Sequence, residues 1–328
     1  MNEQPIVAIT IGDPCGIGPE VVVKALAAGD ISARALLIGD AFVVEQTIAL
    51  TKTALTVRPI DAPDQARFAP GCVDVLDPKT LRPEDVTPGK ISPACGRAVT
   101  QWWETATGLA QSGKVAAIVK GPVNTEAIRQ GAGPAQGAVE PGKTYLFLIT
   151  GPLRVVHLTD HIPLSQVLGE IKLEKILKLI RLTHTSLRGW GVPDPRIGVA
   201  GFNPHAHGAE EEREIAPAVA QARREGINAA GPVPPDSLFR QCIEERYDCV
   251  VAHYHDQGHI AVKTWGFRGN CALILGAPYI RLSVAHGTAF DIAGRGIAGH
   301  ESMWEAMRTA AWLAGGRGFP RAPLEKGF

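Results

Sequence analysis

Short apolar runs that stop at Gly, Pro or Asp recur along the chain: IVAITIGDP (6–14), ALLIGD (35–40), VAAIVKGP (115–122), RIGVAGFNP (196–204) and DCVVAHYHD (248–256). Each predicts a buried strand whose carboxyl end opens into a loop. Helical stretches alternate with them. GPEVVVKALAAG (18–29) has Pro just inside its start and Gly at its end, and LEKILKLIRLTHTSLRGWG (173–191) spaces its apolar residues as a helix does. The alternation predicts an α/β fold with largely parallel pairing, in which ligands gather at the carboxyl ends of strands. The Gly/Pro/Ala-rich segment 129–143 is the most loop-like stretch, a domain crossing or a flap, and 315–328 is a low-complexity tail.

The length, 328 residues, suits about two domains and a sizeable core. Lys plus Arg and Asp plus Glu are equal at 33 each, so no global basic field draws the chain to nucleic acid or to an anionic membrane. Recognition of a charged ligand must be local. Six cysteines without a C-x-x-C pair fit a reduced compartment, and neither a signal segment nor a membrane-length apolar run is visible, so a cytoplasmic protein is expected.

The densest chemistry lies in HYHDQGH (253–259), three imidazoles, a phenol and a carboxylate. Read as extended chain, His253 and His255 share one face and Tyr254 and Asp256 the other. His161 in TDHIPL and His205 and His207 in NPHAHG stand in turn-like contexts, where capping or packing competes with metal ligation.

Two glycine-rich segments and one loop each admit two readings. GAVEPGKT (137–144) matches the phosphate-loop pattern, which points to nucleotide binding, but it lacks the preceding strand that the mechanism needs. IGDPCGIGPE (11–20) is either an anion cradle or a plain strand-to-helix turn, with Asp13 and Glu20 as weak candidates. It lacks the third glycine of the dinucleotide fingerprint. HGTAFDIAGRGIAG (286–299) is either a loop that approaches a ligand, with Asp291 to hold a ribose diol, or a turn before the helix ESMWEAMRTAAWLAG.

Together IGDPCGIGPE, KGPVN (120–124), NPHA (203–206), YHDQG (254–258), Lys263, YIR (279–281) and HGTAFDIAGRG (286–296) resemble the 4-hydroxythreonine-4-phosphate dehydrogenase family, the PdxA-type proteins, from residue 6 to about 300. The resemblance implies two α/β/α domains with an active-site cleft between them, a fold like that of isopropylmalate and isocitrate dehydrogenases. The first domain, 1–128 plus 268–328, would carry much of the dinucleotide site; the second, 129–267, would carry the metal ligands and a homodimer interface. It further implies NAD as cofactor and a divalent metal, expected to be zinc, held across the dimer by His161, His205 and His255. His253 is then packing or support, and His259 has no role. His286, Gly287, Thr288 and Asp291 fall on the adenosine-binding loop. Lys263 and Asp236 are the catalytic candidates, and Lys143, Thr144, Lys263 and Arg281 the substrate-binding ones.

A metal held by neutral imidazoles lowers the pKa of a substrate hydroxyl, so that hydride can leave the carbinol carbon to NAD, and a carboxylate β to the new carbonyl is then lost. Departures from the family pattern bear on the substrate: Gly142-Lys143-Thr144-Tyr145 replaces Gly-His-Thr-Glu, and Ala272 and Ala285 replace an asparagine and an aspartate. DQGHI resembles the metal loop of the terephthalate cis-dihydrodiol branch. The expected substrate is therefore a carboxylated cis-dihydrodiol, whose second carboxylate suits Lys143 or Arg281, with 4-hydroxythreonine-4-phosphate as the alternative and a phosphate-loop protein as a remote third.

Overall fold

The computed structural model describes residues 4–134, 139–266 and 269–320. Its chain divides into two compact units, Met1–Gly137 with Pro278–Gly315, and Ala138–Ala277 with Gly316–Phe328.

In the first unit β1 (Ile6–Thr10), α1 (Gly18–Ala27), β2 (Arg34–Ile38), α2 (Ala41–Thr51), β3 (Thr56–Ile60), β4 (Cys72–Leu76), α3 (Pro93–Gln111), β5 (Ala117–Lys120) and α4 (Thr125–Ala132) are joined by β12 (Ile280–Val284) and α10 (Glu301–Ala314) from late in the chain. The strands run in the order β3-β4-β2-β1-β5-β12, and every pairing is parallel. Such a sheet needs cover on both faces. Helices α1, α2 and α10 pack as one group and α3 with α4 as another, and both α3 and α10 touch β1 and β5. Hence Val7, Ala8 and Ile9 are all fully buried, an unbroken apolar run of the kind read from the sequence. Each such Val or Ile contributes roughly 1.5–3 kcal/mol by leaving water.

The second unit holds β6 (Tyr145–Thr150), β7 (Leu153–His157), α5 (Leu164–Glu170), α6 (Leu173–Gly189), β8 (Ile197–Ala200), α7 (Ala216–Arg224), β9 (Ala229–Val233), α8 (Pro235–Ile243), β10 (Cys249–Ala252), α9 (His255–Trp265) and β11 (Cys271–Leu275). Its strand order is β11-β6-β7-β10-β8-β9. Here the pairing is mixed: β6 runs antiparallel to both β7 and β11, while β7, β10, β8 and β9 are parallel. The β6–β7 hairpin closes through Gly151 and Pro152 between paired Thr150 and Leu153, with Gly151 at φ +53° as a two-residue loop requires.

All five predicted runs are strands, and the three predicted helices form, as α1, α6 and α10. The division of the chain differs from the expected 128/129 and 267/268 boundaries, the second of which lies at residues outside the described ones. Residues after Gly315 also belong elsewhere than expected. Phe319 stacks on Phe147 at 6.1 Å, Arg154 lies 4.4 Å over its ring, and the Gly318 amide donates to Trp190 O, so this stretch packs on the second unit rather than the first. Residues 321–328 of the low-complexity tail lie outside the described residues. Among the described residues no helix is long and apolar enough to cross a membrane.

Candidate active site

The segment 253–259 is not extended. β10 ends at Ala252 and α9 begins at His255. The turn is fixed by Gln257, whose Oε1 accepts from the His253 amide at 2.7 Å and whose Nε2 donates to Gly201 O at 2.8 Å. His253 and His255 therefore do not share a strand face. His253 is fully buried, its Nε2–H donates to Ala200 O at 2.7 Å, and burial pushes its pKa down to about 4. It ties the ends of β10 and β8 together, a packing role.

Helical geometry instead places His255, His259 and Lys263 on one face of α9, one turn apart. The rings of His255 and His259 stack at 3.6 Å, His161 lies 5.1 Å from His255, and His157 lies 4.8 Å from His259. The hydrogen bonds assign the ring nitrogens. His255 Nδ1–H donates to Asp256 Oδ1 at 2.7 Å and His259 Nδ1–H to His255 O at 3.0 Å, leaving Nε2 of both as a lone-pair donor. Burial, then the neighbouring His255, lowers the His259 pKa to about 4, with Lys263 adding to the effect. His157 is pushed down to about 3, first by burial and then by His259; its Nδ1–H donates to Leu146 O at 3.2 Å and its buried Nε2 has no hydrogen-bond partner. Gly258 makes this possible, because a Cβ there would stand 2.2 Å from His157 Nε2.

His161 follows β7, with Nδ1 2.9 Å from Asp160 Oδ1. His205 occupies a turn at Pro204–Ala206 and is exposed, with φ +55°, a left-handed conformation that few residues adopt without cost. Buried Glu211 holds that turn by accepting from the amides of Phe202 and Asn203 and from Asn203 Nδ2, all at 2.7 Å. Its burial works to raise the carboxyl pKa, but the bonds from Asn203 and Phe202 bring it below the usual range. Of the three expected metal ligands, the single chain thus brings His161 and His255 together. Among the described residues His205 does not come within ligand distance of both. Asp236 stands exposed in the first turn of α8, which packs on the His205 turn.

The phosphate-loop pattern fails on topology. Its first two residues lie outside the described ones, and Lys143 and Thr144 lead into strand β6, where a phosphate loop requires a helix. Lys143 is largely exposed and pairs with Glu140 at 3.4 Å, while Thr144 Oγ1 accepts from the Glu140 amide at 2.7 Å. Tyr145 is buried in β6, and Ala272 is buried in the second unit's core beside Leu148 and Leu238.

In the first unit the 286–299 loop is a series of turns before α10. Thr288 is buried against the 11–20 loop: its carbonyl accepts from the Ile17 amide at 3.0 Å, and a Cβ on Gly16 would meet Thr288 Cβ at 2.8 Å. His286 Nδ1–H donates to Gly287 O, and Asp291 is exposed. The 11–20 segment is itself the predicted strand-to-helix turn. Glu20 accepts from Lys24 Nζ at 2.8 Å and from the Ala298 amide at 2.6 Å, a structural role. Asp13, Cys15 and Cys95 form a buried cluster with the two thiol sulfurs 3.6 Å apart. Arg281 on β12 lies over the Trp103 ring, and Lys120 at the end of β5 lies over the same ring.

Sequence reading left His157, Glu211, Gln257, Trp103 and Lys120 without roles. A spacing of four from His255 to His259 to Lys263 was the available sign of a helix face.

Residues 32–310 match the family described as "Pyridoxal phosphate biosynthetic protein PdxA". A D-threonate 4-phosphate dehydrogenase from Cupriavidus necator is 41% identical, with 94% of this chain and 97% of that protein covered. The crystal structure of 4-hydroxythreonine-4-phosphate dehydrogenase from Klebsiella pneumoniae superposes with a TM-score of 0.84 at 40% identity, covering 95% of this chain and all of that one. A terephthalate 1,2-cis-dihydrodiol dehydrogenase from Burkholderia xenovorans LB400 superposes with a TM-score of 0.68 at 31% identity, over 94% of this chain and 98% of its own.

Proposed function

The chain belongs to the PdxA family of dehydrogenases, and from that premise we propose that it oxidises a phosphorylated four-carbon β-hydroxy acid with NAD and a divalent metal. The observation that carries the proposal is the row His255, His259 and Lys263 on one face of α9, with His161 beside it. The proteins named for phosphorylated substrates stand at 40 and 41% identity, and the dihydrodiol enzyme at 31%. The expectation of a carboxylated cis-dihydrodiol therefore gives way to its alternative. Its support has weakened too, because Lys143 is paired with Glu140 and Ala272 packs in a core.

D-Threonate 4-phosphate and 4-hydroxythreonine-4-phosphate share a C3 carbinol, a carboxylate β to it and a C4 phosphate. Hydride leaves C3 for NAD while the C3 hydroxyl gives up its proton, and the resulting β-keto acid can lose CO2. His161 and His255 fit a metal: their donors are imidazole nitrogens, and Asp256 fixes the His255 tautomer that leaves Nε2 available. When bound, the metal acts as a Lewis acid on the substrate hydroxyl. His205 completes the set from a second copy of the chain in a homodimer. Imidazole donors suit zinc, nickel and cobalt alike. Lys263, two turns beyond His255, supplies positive charge to the substrate and relays its proton, with Asp236 as the second proton-handling group. Arg281 binds a substrate anion. The loop carrying His286, Gly287, Thr288 and Asp291 holds the adenosine part of NAD, its backbone braced by the Ile17 amide.

The deciding experiment measures NADH formation with D-threonate 4-phosphate, 4-hydroxythreonine-4-phosphate and a terephthalate-type cis-dihydrodiol, with metal supplied. Turnover of either phosphate supports the proposal. Turnover of the dihydrodiol alone, or of none, ends it.

A further inference from the structure

Two cations share one indole in the first unit. Lys120 Nζ lies 5.2 Å and Arg281 Cζ 5.4 Å from the centre of the Trp103 ring. The sheet register explains why they meet. β12 pairs with β5 so that Arg281 stands opposite Ile118 and Ser283 opposite Lys120. Paired residues on neighbouring strands point to the same face, so both cations project toward α3, which carries Trp103.

Lys120 is the last residue of β5, at the carboxyl end of a parallel sheet, where ligands gather. Just beyond it the backbone is pinned: a Cβ on Gly121 would meet Thr10 O at 2.7 Å, and one on Gly12 would meet Pro122 O at 2.5 Å. The lysine is therefore held on a rigid strand end. Its ammonium is mostly buried, and no carboxylate among the described residues offsets its charge. Burial and, after it, the Arg281 guanidinium lower its pKa to about 8. A desolvated ammonium beside a second cation is unfavourable in the protein alone, and a bound anion would relieve it.

We propose that Lys120 and Arg281, braced by Trp103, form one anion-binding pair that takes the phosphate of the hydroxy acid substrate. This rests on the function proposed above and adds Lys120 to its binding residues. Phosphate oxygens could equally come from the pyrophosphate of the dinucleotide, and the test separates the two sources. Arg281 offers a planar fork for two oxygens and Lys120 a point charge for a third.

The test uses the metal-loaded, full-length protein. Lys120→Met, which replaces the ammonium with an apolar chain of similar length, is expected to raise KM for the phosphorylated substrate by about 10- to 100-fold, the usual effect of losing a hydrogen bond to a charged group. KM for NAD should stay within about twofold, and Lys120→Arg should recover part of the loss. A second measurement needs no variant: inorganic phosphate should protect Lys120 from amine-directed labelling at pH 8, read by peptide mass spectrometry. An unchanged substrate KM together with absent protection would overturn the pair. A rise confined to the NAD KM would assign it to the dinucleotide and overturn the substrate claim. Phosphate protection in a protein that turns over neither phosphorylated substrate would leave the anion pair standing while the functional reading failed.

Discussion

His255 and His259 stack face to face, with ring centroids 3.6 Å apart and 14° between their planes, one turn apart on α9. The stack sets the orientation of His255, which Asp256 fixes from the other side through Nδ1. A ligand ring held on two sides presents its remaining nitrogen in one direction, and ordering it on metal binding costs less. His259 should therefore support the metal without touching it. Replacing it with Ala is expected to weaken metal affinity by roughly 10-fold, at the low end for groups that orient ligands. His259→Phe, which keeps a flat ring, should restore most of the loss. Competition with a chromophoric chelator measures both, and equal affinities for wild type and His259→Ala would refute the supporting role.

Metal loading should fail outright when a ligand is removed. His161→Ala and His255→Ala are each expected to lose stoichiometric metal while keeping the far-ultraviolet circular dichroism of the wild type, because His161 lies in the loop between β7 and α5 and His255 at the start of α9, neither in a core. Elemental analysis after dialysis against chelator decides, and His255→Ala that retains one equivalent would remove that residue from the ligand set.

Gly258 separates helix propensity from packing. An alanine in the interior of α9 would ordinarily gain close to 1 kcal/mol over glycine. At this position its Cβ would stand 2.2 Å from His157 Nε2 and 2.8 Å from Val155 Cγ1. His157 is fully enclosed and has little room to retreat. Overpacking of this kind costs roughly 1–3 kcal/mol, so a net loss of stability is expected for Gly258→Ala. Urea unfolding measures it, and a stabilised variant would show that the histidine row is looser than described.

These relationships were unevenly legible in the chain. β1, β2, β5, β8 and β10 are short apolar runs cut off by Gly or Asp, and a parallel sheet covered on both faces needs no more signal than that. The start of α9 is different. Its N-cap, Tyr254, makes no side-chain capping bond, and the turn is held by Gln257 reaching Gly201, which is distant in sequence. With the local signal absent, VVAHYHD reads as a continuation of the β10 pattern, which puts His253 and His255 on one face, whereas the helix separates them. The 137–144 match failed for the converse reason. Lys143 and Thr144 satisfy a local pattern, but its chemistry depends on the element that follows, and β6 pairs with β11, which lies far along the chain. Lys120 was hidden because nothing in KGPVN reveals that β12, which lies far along the chain, brings Arg281 to the same face.

Lys143 supplies a contrasting case. Its side chain is 76% exposed and its partner Glu140 67% exposed, so their contact is screened by solvent. Lys143→Ala is expected to change stability by no more than about 0.5 kcal/mol. The protein should also show no saturable ATP binding in calorimetry, since no helix N-terminus follows the loop. Tight ATP binding abolished by this substitution would reinstate the phosphate-loop reading.

Asp13 makes a prediction about pH. It is buried, its Oδ1 accepts from the Cys15 amide at 2.9 Å, and its Oδ2 has no hydrogen-bond partner. Burial raises its pKa from 3.8 to about 6, against the lowering effect of the Cys15 amide. Between those two values the folded state keeps a proton that the unfolded chain has released, so stability falls as pH rises, by at most about 1.4 kcal/mol per pH unit. Above pH 6 the loss is complete and the slope from this group vanishes. Asp40, also raised to about 6 by burial, acts in the same window and complicates any single profile. The comparison with Asp13→Asn removes that complication, because Asn keeps an acceptor for Cys15 and cannot titrate. Its stability relative to wild type should grow as pH goes from 4 to 6 and then level off. Urea midpoints taken at half-unit steps measure the difference, and a difference that stays constant across the range would mean that Asp13 is ionised in the folded state at pH 4.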